Sequence, residues 1–390
     1  MCGIAGFFHT DGAPGSSVRL KAMCDAIAHR GPDGEGQFVD GSVGLGHRRL
    51  AIIDLTPLGR QPMSTPDGRY TLTYNGEVYN FQELRAELTG RGHRFVSRTD
   101  SEVLLYAFAE WGIGALRRLN GMFAFAVWDR DKATLTLARD RFGVKPLYWA
   151  HVDGAFLFGS EIKAIFAHGA IRPDLDVEGL AEYLTFQNFF TPRTLFKNIA
   201  LLPQGAYLQV RRGVTSLGPV RYWDFHFEEP EVSRSEEQYL EEADHLFQQA
   251  VSRQLVSDVE VGSYLSGGVD SGSITALAAK QLPWMRTFTV GFDLSSASGV
   301  ELAYDERPAA EFMSYVFKTE HYEMVLKAGD MERIMPKLGL APRGAARRAV
   351  LSQLLRGRPR LEVREGGAVG CRRRRAVRRL SLALLPCGGE

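Results

Sequence analysis

A hydrophobic run, a glycine-rich loop and a helical segment follow one another between Val259 and Lys280, and that order leaves little freedom in the local fold. Val259 to Leu265 reads as a strand, SGGVDSG as the loop and Ser273 to Lys280 as a helix. A second strand, Thr287 to Val290, completes a βαβ unit. Strands joined by a crossover helix lie parallel, so this part of the chain is α/β. Just before it, Tyr239, Leu240, Ala243, Leu246, Phe247 and Val251 form an apolar stripe at helical spacing over 236–254.

The first ~210 residues follow a different pattern. Tyr70 to Tyr74, Met122 to Trp128 and Thr134 to Ala138 alternate as half-buried strands do, and Asp129 to Lys132 turns the last two into a hairpin. Helical spacing covers Arg19 to Ala28, capped by Ser16 or Ser17 and stopped at Gly31 and Pro32. Asn80 to Leu88 and Ser101 to Trp111 are further helices, with Asp100 as cap of the second. Stacked antiparallel sheets with flanking helices satisfy this pattern. Two domains are expected, 2–211 and 236–338, joined by a Gly-, Pro-, Ser- and Glu-rich linker over 212–235.

The net charge of +1 gives no general pull toward nucleic acid or anionic membrane. Four cysteines in 390 residues are too few for a disulfide scaffold. No apolar run reaches the ~20 residues that span a bilayer, and MCGIAGFF does not read as a signal peptide. A cytoplasmic chain without nucleic-acid or membrane partners is expected; a homodimer is left open. Cys24, on an apolar helix face, reads as core.

Cys2 follows the initiator Met and precedes Gly3. Removal of Met1 would make its thiol a nucleophile with its own α-amino group as base. Their reference pKa values, about 8.5 and about 8, make the proton transfer nearly isoenergetic. MCGIAGFF, HRGPDG (29–34), GHRRLAIIDL (46–55), YNGEVYN (74–80) and SRTDSE (97–102) occur in order. Together they resemble the glutaminase domain of class II glutamine amidotransferases, the N-terminal-nucleophile hydrolases. The resemblance implies glutamine amide hydrolysis through a thioester on Cys2, with Asn75 and the Gly76 N–H as oxyanion hole. It implies Arg49 on the glutamine α-carboxylate, with Asn75, Glu77 and Asp100 also lining the glutamine site. Glu77 and Asp100 would lie around the α-ammonium.

SGGVDS after a hydrophobic strand resembles the pyrophosphate loop of the ATP pyrophosphatases. Glycines let backbone N–H groups approach an anion, and the helix N-terminus favours its charge. Ser266, Gly267, Gly268, Asp270 and Ser271 would hold the phosphates of ATP, Asp270 would bind Mg²⁺, and Leu265 and Val290 would pack the adenine. A class II glutaminase joined to this loop resembles the glutamine-hydrolysing asparagine synthetases. The implied fold is an α+β N-terminal-nucleophile sandwich, two antiparallel sheets between helices, followed by an incomplete α/β pyrophosphate-loop domain. The implied reaction adenylates aspartate with ATP, and ammonia from glutamine attacks the β-aspartyl-AMP. A ligase of the same architecture acting on another carboxylate, or a non-catalytic remnant, is the alternative.

The resemblance stops after Leu338. The family's acidic EEP or DEP segment and its SGxGGDE motif are missing, and thirteen Arg with no Lys stand between Arg343 and Arg379. A coding string for GGDELFAGYP, read two bases late, gives RRRAVRRLS, the residues Arg373 to Ser381. The same shift relates Gly339 to Arg348 to AWHLEEPRVG, and Gly366 to Cys371 to VVLSGA. One extra G at Leu338–Gly339 suffices. Residues 339–390 therefore read as an out-of-frame tail without a core, in which Cys371 and Cys387 have no designed role.

Overall fold

The computed structural model describes residues 1–213, 217–229, 234–293, 305–327, 329, 330, 332 and 333, and the backbone of 378 and 379. It divides into two compact units, with the boundary after Glu228.

The first unit runs β1 (Gly3–His9), α1 (Ser17–Ala26), β2 (Gly34–Asp40), β3 (Val43–Arg49), β4 (Met63–Ser64), β5 (Tyr70–Val78), α2 (Phe81–Gly90), α3 (Asp100–Trp111) and α4 (Ala115–Arg118). It continues with β6 (Gly121–Asp129), β7 (Thr134–Arg139), β8 (Tyr148–Val152), β9 (Ala155–Gly159), α5 (Ile162–Ala167), α6 (Val177–Phe186), β10 (Ala200–Leu201), β11 (Ala206–Arg211) and β12 (Val220–Arg221). Two six-stranded sheets form, ordered β10-β8-β9-β1-β3-β2 and β12-β11-β7-β6-β5-β4. Every pairing in them is antiparallel.

Side chains alternate between the two faces of a strand, and the core follows that rule. Ile4 and Phe8 of β1 face Ala124, Ala126 and Trp128 of β6 in the space between the sheets. Ala5 and Phe7 point the other way, onto α1 and α5. Phe123, Phe125 and Val127 likewise turn outward to α2 and α3. The layers are helix, sheet, sheet, helix, as the resemblance implies. Gly6 has no room for a side chain: a Cβ there would overlap the Gly44 carbonyl oxygen and meet the Phe158 ring at 2.5 Å.

The second unit runs α7 (Glu236–Gln254), β13 (Val261–Tyr264), α8 (Val269–Gln281), β14 (Arg286–Phe292), α9 (Arg307–Phe317), β15 (Glu320–Leu326) and β16 (Arg378–Arg379). Its sheet, ordered β15-β14-β13-β16, is entirely parallel. Ser235 caps α7 and Gln238 reaches back to close a capping box.

Several expectations need correction. The cap of α3 is Thr99, whose side chain accepts from the Glu102 N–H, and Asp100 is the first helical residue. Helix α1 ends at Ala26, short of Gly31. The stretch 212–235 is only partly a linker: β12 pairs with β11, and Tyr222 is buried and donates to the Arg139 carbonyl at 2.9 Å. Isolated aromatics in a polar run gave little periodicity to detect. Of the Arg-rich stretch, only the backbone of β16 falls among the described residues. It takes the free edge of β13, where main-chain groups pair with any extended backbone whatever its side chains.

Two outcomes test this packing. Gly6→Ala should destabilise the first unit by ~1–3 kcal/mol, the usual cost of overfilling a core; an unchanged urea midpoint would contradict the close approach. His168 is buried, and burial first, then Arg19 and His9, brings its pKa down to about 4. Its neutral form is favoured by folding, so its contribution is intact above its ordinary pKa of 6.5 and declines as pH falls toward 4. The stability difference between wild type and His168→Leu should therefore shift against wild type between pH 7.5 and pH 5. A constant difference across that window would refute it.

Candidate active site

Cys2 stands directly before β1. It has the same parity as Ile4 and Phe8, so alternation aims its side chain into the gap between the sheets. The thiol is held by the strand-end backbone: Sγ donates to the Leu50 carbonyl at 3.5 Å and receives the Leu50 N–H at 3.3 Å. Burial raises its pKa, against the lowering effects of the Leu50 hydrogen bond, the chain's amino terminus and Lys145. Met1 is 53% exposed.

The backbone of Cys2 is braced by a residue to which the sequence reading gave no role. Arg30 Nε donates to the Cys2 carbonyl at 2.8 Å, and its Nη1 reaches Glu161 at 2.9 Å. His29 and Lys163 meet the same carboxylate at 2.8 and 3.1 Å. Burial alone would raise the Glu161 pKa, but the His29 hydrogen bond and the Arg30, His29 and Lys163 charges bring it down to about 2. The signal was present in HRGPDG, but a motif does not reveal which main-chain atom its arginine holds.

Across the gap, Thr73, Asn75 and Glu77 occupy the face of β5 opposite Leu72 and Tyr74, which pack toward α2 and α3. Thr73 Oγ1 donates to the Gly46 carbonyl of β3 at 3.0 Å, tying the two sheets together here. Asn75 is 1% exposed, and among the described residues its Nδ2 is buried without a hydrogen-bond partner. Buried amide donors rarely stay unpaired, and one directed into a reaction site is a ready partner for a developing oxyanion. Gly76 follows, paired with Phe123; a Cβ at Gly76 would overlap the Met122 carbonyl oxygen.

Asp100 is buried at the start of α3. Its Oδ2 accepts the Tyr74 hydroxyl at 2.8 Å and the Val78 N–H at 2.9 Å. Burial raises its pKa, opposed by these hydrogen bonds. Burial also moves Glu77 up to about 7, with Lys145 lowering it and Asp100 raising it. Arg49, one residue before Leu50, donates to the Thr56 carbonyl at 2.8 Å and to the Asp54 carbonyl. It lines a cavity of about 320 Å³ with Asp33, Thr56 and Gln61 among its walls. Shared charge effects link Cys2, Glu77 and Asp100, while Asn75 joins them through the strand register. Cys24 is fully buried.

In the second unit, the glycine-rich loop leaves the carboxyl end of β13, where ligands of parallel sheets bind. Two side chains preform it. Ser271 Oγ lies 2.8 Å from Ser266 Oγ and accepts the Ser266 N–H at 3.1 Å, and Ser266 Oγ accepts the Gly268 N–H at 3.3 Å. Gly268 caps α8 without a side-chain hydrogen bond, leaving the helix end open to an anion. A Cβ at Gly267 would stand 3.1 Å from Ala309 of α9. Leu265 is buried and its carbonyl accepts Thr289 Oγ1 at 2.6 Å, while Val290 is half-buried in β14. Asp270 is exposed in the first turn of α8. Among the described residues no cluster of three His, Cys, Asp or Glu could hold a metal by itself, so a cation here would need phosphate oxygens beside Asp270. No helix among the described residues is long and apolar enough to cross a membrane.

Both regions of the chain are similar to known proteins. Residues 1–223 match the family model of the glutamine amidotransferase domain, and residues 242–341 match that of asparagine synthase. Asparagine synthetase [glutamine-hydrolyzing] 3 of Bacillus subtilis is 39% identical over 85% of this chain and 55% of its own length. Asparagine synthetase [glutamine-hydrolyzing] 1 of the same organism is 36% identical over 83% and 51%. Amidase chry2 of Gibberella zeae is 33% identical over 80% and 50%. The chain thus spans about half the length of the curated relatives it matches. With a cysteine directly before the first strand of a two-sheet sandwich and a family match over more than half its residues, the chain belongs to the glutamine amidotransferase family, with an asparagine synthase region behind that domain.

Proposed function

We propose that the first unit hydrolyses glutamine at Cys2 and that the second belongs to an ATP-dependent amide ligase, with aspartate as acceptor. The observation that carries this reading is the orphaned, buried Asn75 amide on the strand facing Cys2. After removal of Met1, Cys2 Sγ attacks the glutamine δ-carbonyl carbon and its proton passes to the new α-amino group. Charge gathers on the carbonyl oxygen, where Asn75 Nδ2 and the Gly76 N–H would receive it. The C–N bond breaks, the proton goes to the leaving nitrogen, and ammonia departs. Water then cleaves the thioester to glutamate. Arg49 would hold the α-carboxylate, and Glu77 with Asp100 the α-ammonium.

In the second unit, Ser266, Gly267, Gly268 and Ser271 would cradle the phosphates of ATP, with Leu265 and Val290 against the adenine. Asp270 would hold Mg²⁺ together with the phosphates, and the ion would neutralise their charge. Ammonia from glutamine would attack the adenylated aspartate. An acceptor other than aspartate is the second reading, favoured by the likeness to the amidase chry2. We take residues 339–390 as out of frame. The asparagine synthase match ends at 341, three residues beyond Leu338, which supports this.

Three outcomes test the proposal. Cys2→Ala should abolish glutamate release from glutamine, and hydrolysis surviving in that variant would reject the nucleophile. Asn75→Ala should lower kcat by roughly 10²–10³, the range for loss of one oxyanion donor, with KM little changed; an unaltered kcat would reject its role. The 390-residue chain should form no asparagine and no glutamine-dependent AMP, whereas a gene with the frame restored at codon 339 should give both. Product from the unrepaired chain would reject the frame shift.

A further inference from the structure

Strand β5 has β6 along one side, but on the other β4 covers only Thr71 and Leu72. Antiparallel pairing gives alternate residues to opposite neighbours. Tyr79 sends its N–H to the Asn120 carbonyl, on the β6 side, so Tyr74, Gly76 and Val78 turn their main-chain groups to the other edge. Side chains take the place of a strand there. The Tyr74 N–H donates to Gln61 Oε1 at 2.7 Å, and the Val78 N–H to Asp100 Oδ2 at 2.9 Å. The Tyr74 carbonyl is taken by His47 of β3, whose Nε2 lies 3.0 Å away. A carbonyl only accepts, so Nε2 carries the ring proton. Burial, reinforced by Arg49 and opposed by this hydrogen bond, brings the His47 pKa down to about 4. The neutral ring therefore has one proton to give, and it goes to Tyr74. Nδ1 is left as a buried lone pair without a partner among the described residues. His47 is fully buried and shares its parity with Val43 and Leu45, which pack between the sheets. Thr73 Oγ1 meets the Gly46 carbonyl at 3.0 Å, so two neighbouring residues of β3 grip two neighbouring residues of β5.

We propose that His47 is a positioning residue of the oxyanion hole, its Nε2–H fixing the peptide that joins Tyr74 to Asn75. This rests on the glutaminase reading above. That peptide leads directly into the residue with the unpaired amide, and the Gly76 N–H stands on the gripped edge one residue further on. Gln61 and His47 hold the edge before Gly76, and Asp100 holds it after. The ring acts through main chain and forms no bond to glutamine.

The test pairs glutamate release with hydrogen–deuterium exchange over Leu72 to Tyr79, in the full chain with Met1 removed. Glutamine reaches as far as the imidazole Nε2 and keeps a donor there; leucine has none, and asparagine reaches only as far as Nδ1. His47→Leu should lower kcat by roughly 10–100-fold, the scale of a small misplacement at a reacting centre, with KM within about threefold of wild type. Exchange over Tyr74 to Val78 should quicken by about tenfold, as expected for one lost hydrogen bond. His47→Gln should stay within about threefold of wild type in both readouts. An unchanged kcat or unchanged exchange in His47→Leu overturns the proposal, as does a loss confined to KM or an equal loss in His47→Gln. If His47→Leu fails to melt cooperatively, His47→Asn takes its place under the same criteria. Exchange needs no turnover, so a wild-type chain that releases no glutamate fails the glutaminase reading while the exchange pattern still decides this one.

Discussion

Two sheets packed face to face, each with strict alternation along its strands, form the constraint on which the site depends. Alternation sends Ile4 and Phe8 into the gap, and with them Cys2. It sends Leu72 and Tyr74 of β5 to the helices, so Thr73, Asn75 and Glu77 turn to the same gap. A one-residue slip in β5 would turn Asn75 and Glu77 toward the helices and Leu72 and Tyr74 into the gap. Gly6 and Gly44 allow the close contact at the centre of the first sheet. The chemistry therefore inherits its geometry from apolar packing that touches no substrate.

Buried polar residues around the site differ in how fully they are partnered. Asp100 has two donors, Glu161 meets Arg30, Lys163 and the His29 ring, and Thr73 has a cross-sheet acceptor. Among the described residues the Asn75 amide is unpaired, as are His47 Nδ1 and Arg30 Nη2. Satisfied neighbours rigidify a site, whereas an unsatisfied donor stores free energy that a reacting oxygen can release. The second unit arranges its polar groups differently: Ser266 and Ser271 satisfy each other and so shape the loop, leaving the helix end above it uncapped.

Much of this was legible in the chain. The hairpin of β6 and β7, the βαβ around SGGVDSG and the helix over 236–254 all follow from periodicity and turn residues, because each is decided within ~20 residues. Cys24 in the core was equally readable from one helical stripe. What escaped was set by distant partners. Tyr222 is buried because the Arg139 carbonyl, 83 residues away, accepts its hydroxyl. Arg30 braces the Cys2 main chain, a contact no spacing rule encodes. Thr99 displaced Asp100 as cap because Asp100 is drawn inward by Tyr74 and Val78. The roles assigned to Arg49, Glu77 and the adenine-facing residues came from family resemblance, and geometry adds their positions and partners.

Asp140 carries a consequence for substitution by near-isosteres. It is fully buried, and each of its oxygens accepts two backbone N–H groups: Phe142 and Val144 on Oδ1, Phe123 and Lys145 on Oδ2. Asparagine matches its size and outline almost atom for atom, yet it offers only one acceptor and would turn an amino group toward two donors. Glutamate keeps both acceptors but adds a methylene for which the loop has no slack. At this corner shape and chemistry cannot both be conserved by any other side chain, so the position behaves as a two-pronged main-chain clamp with a single admissible part.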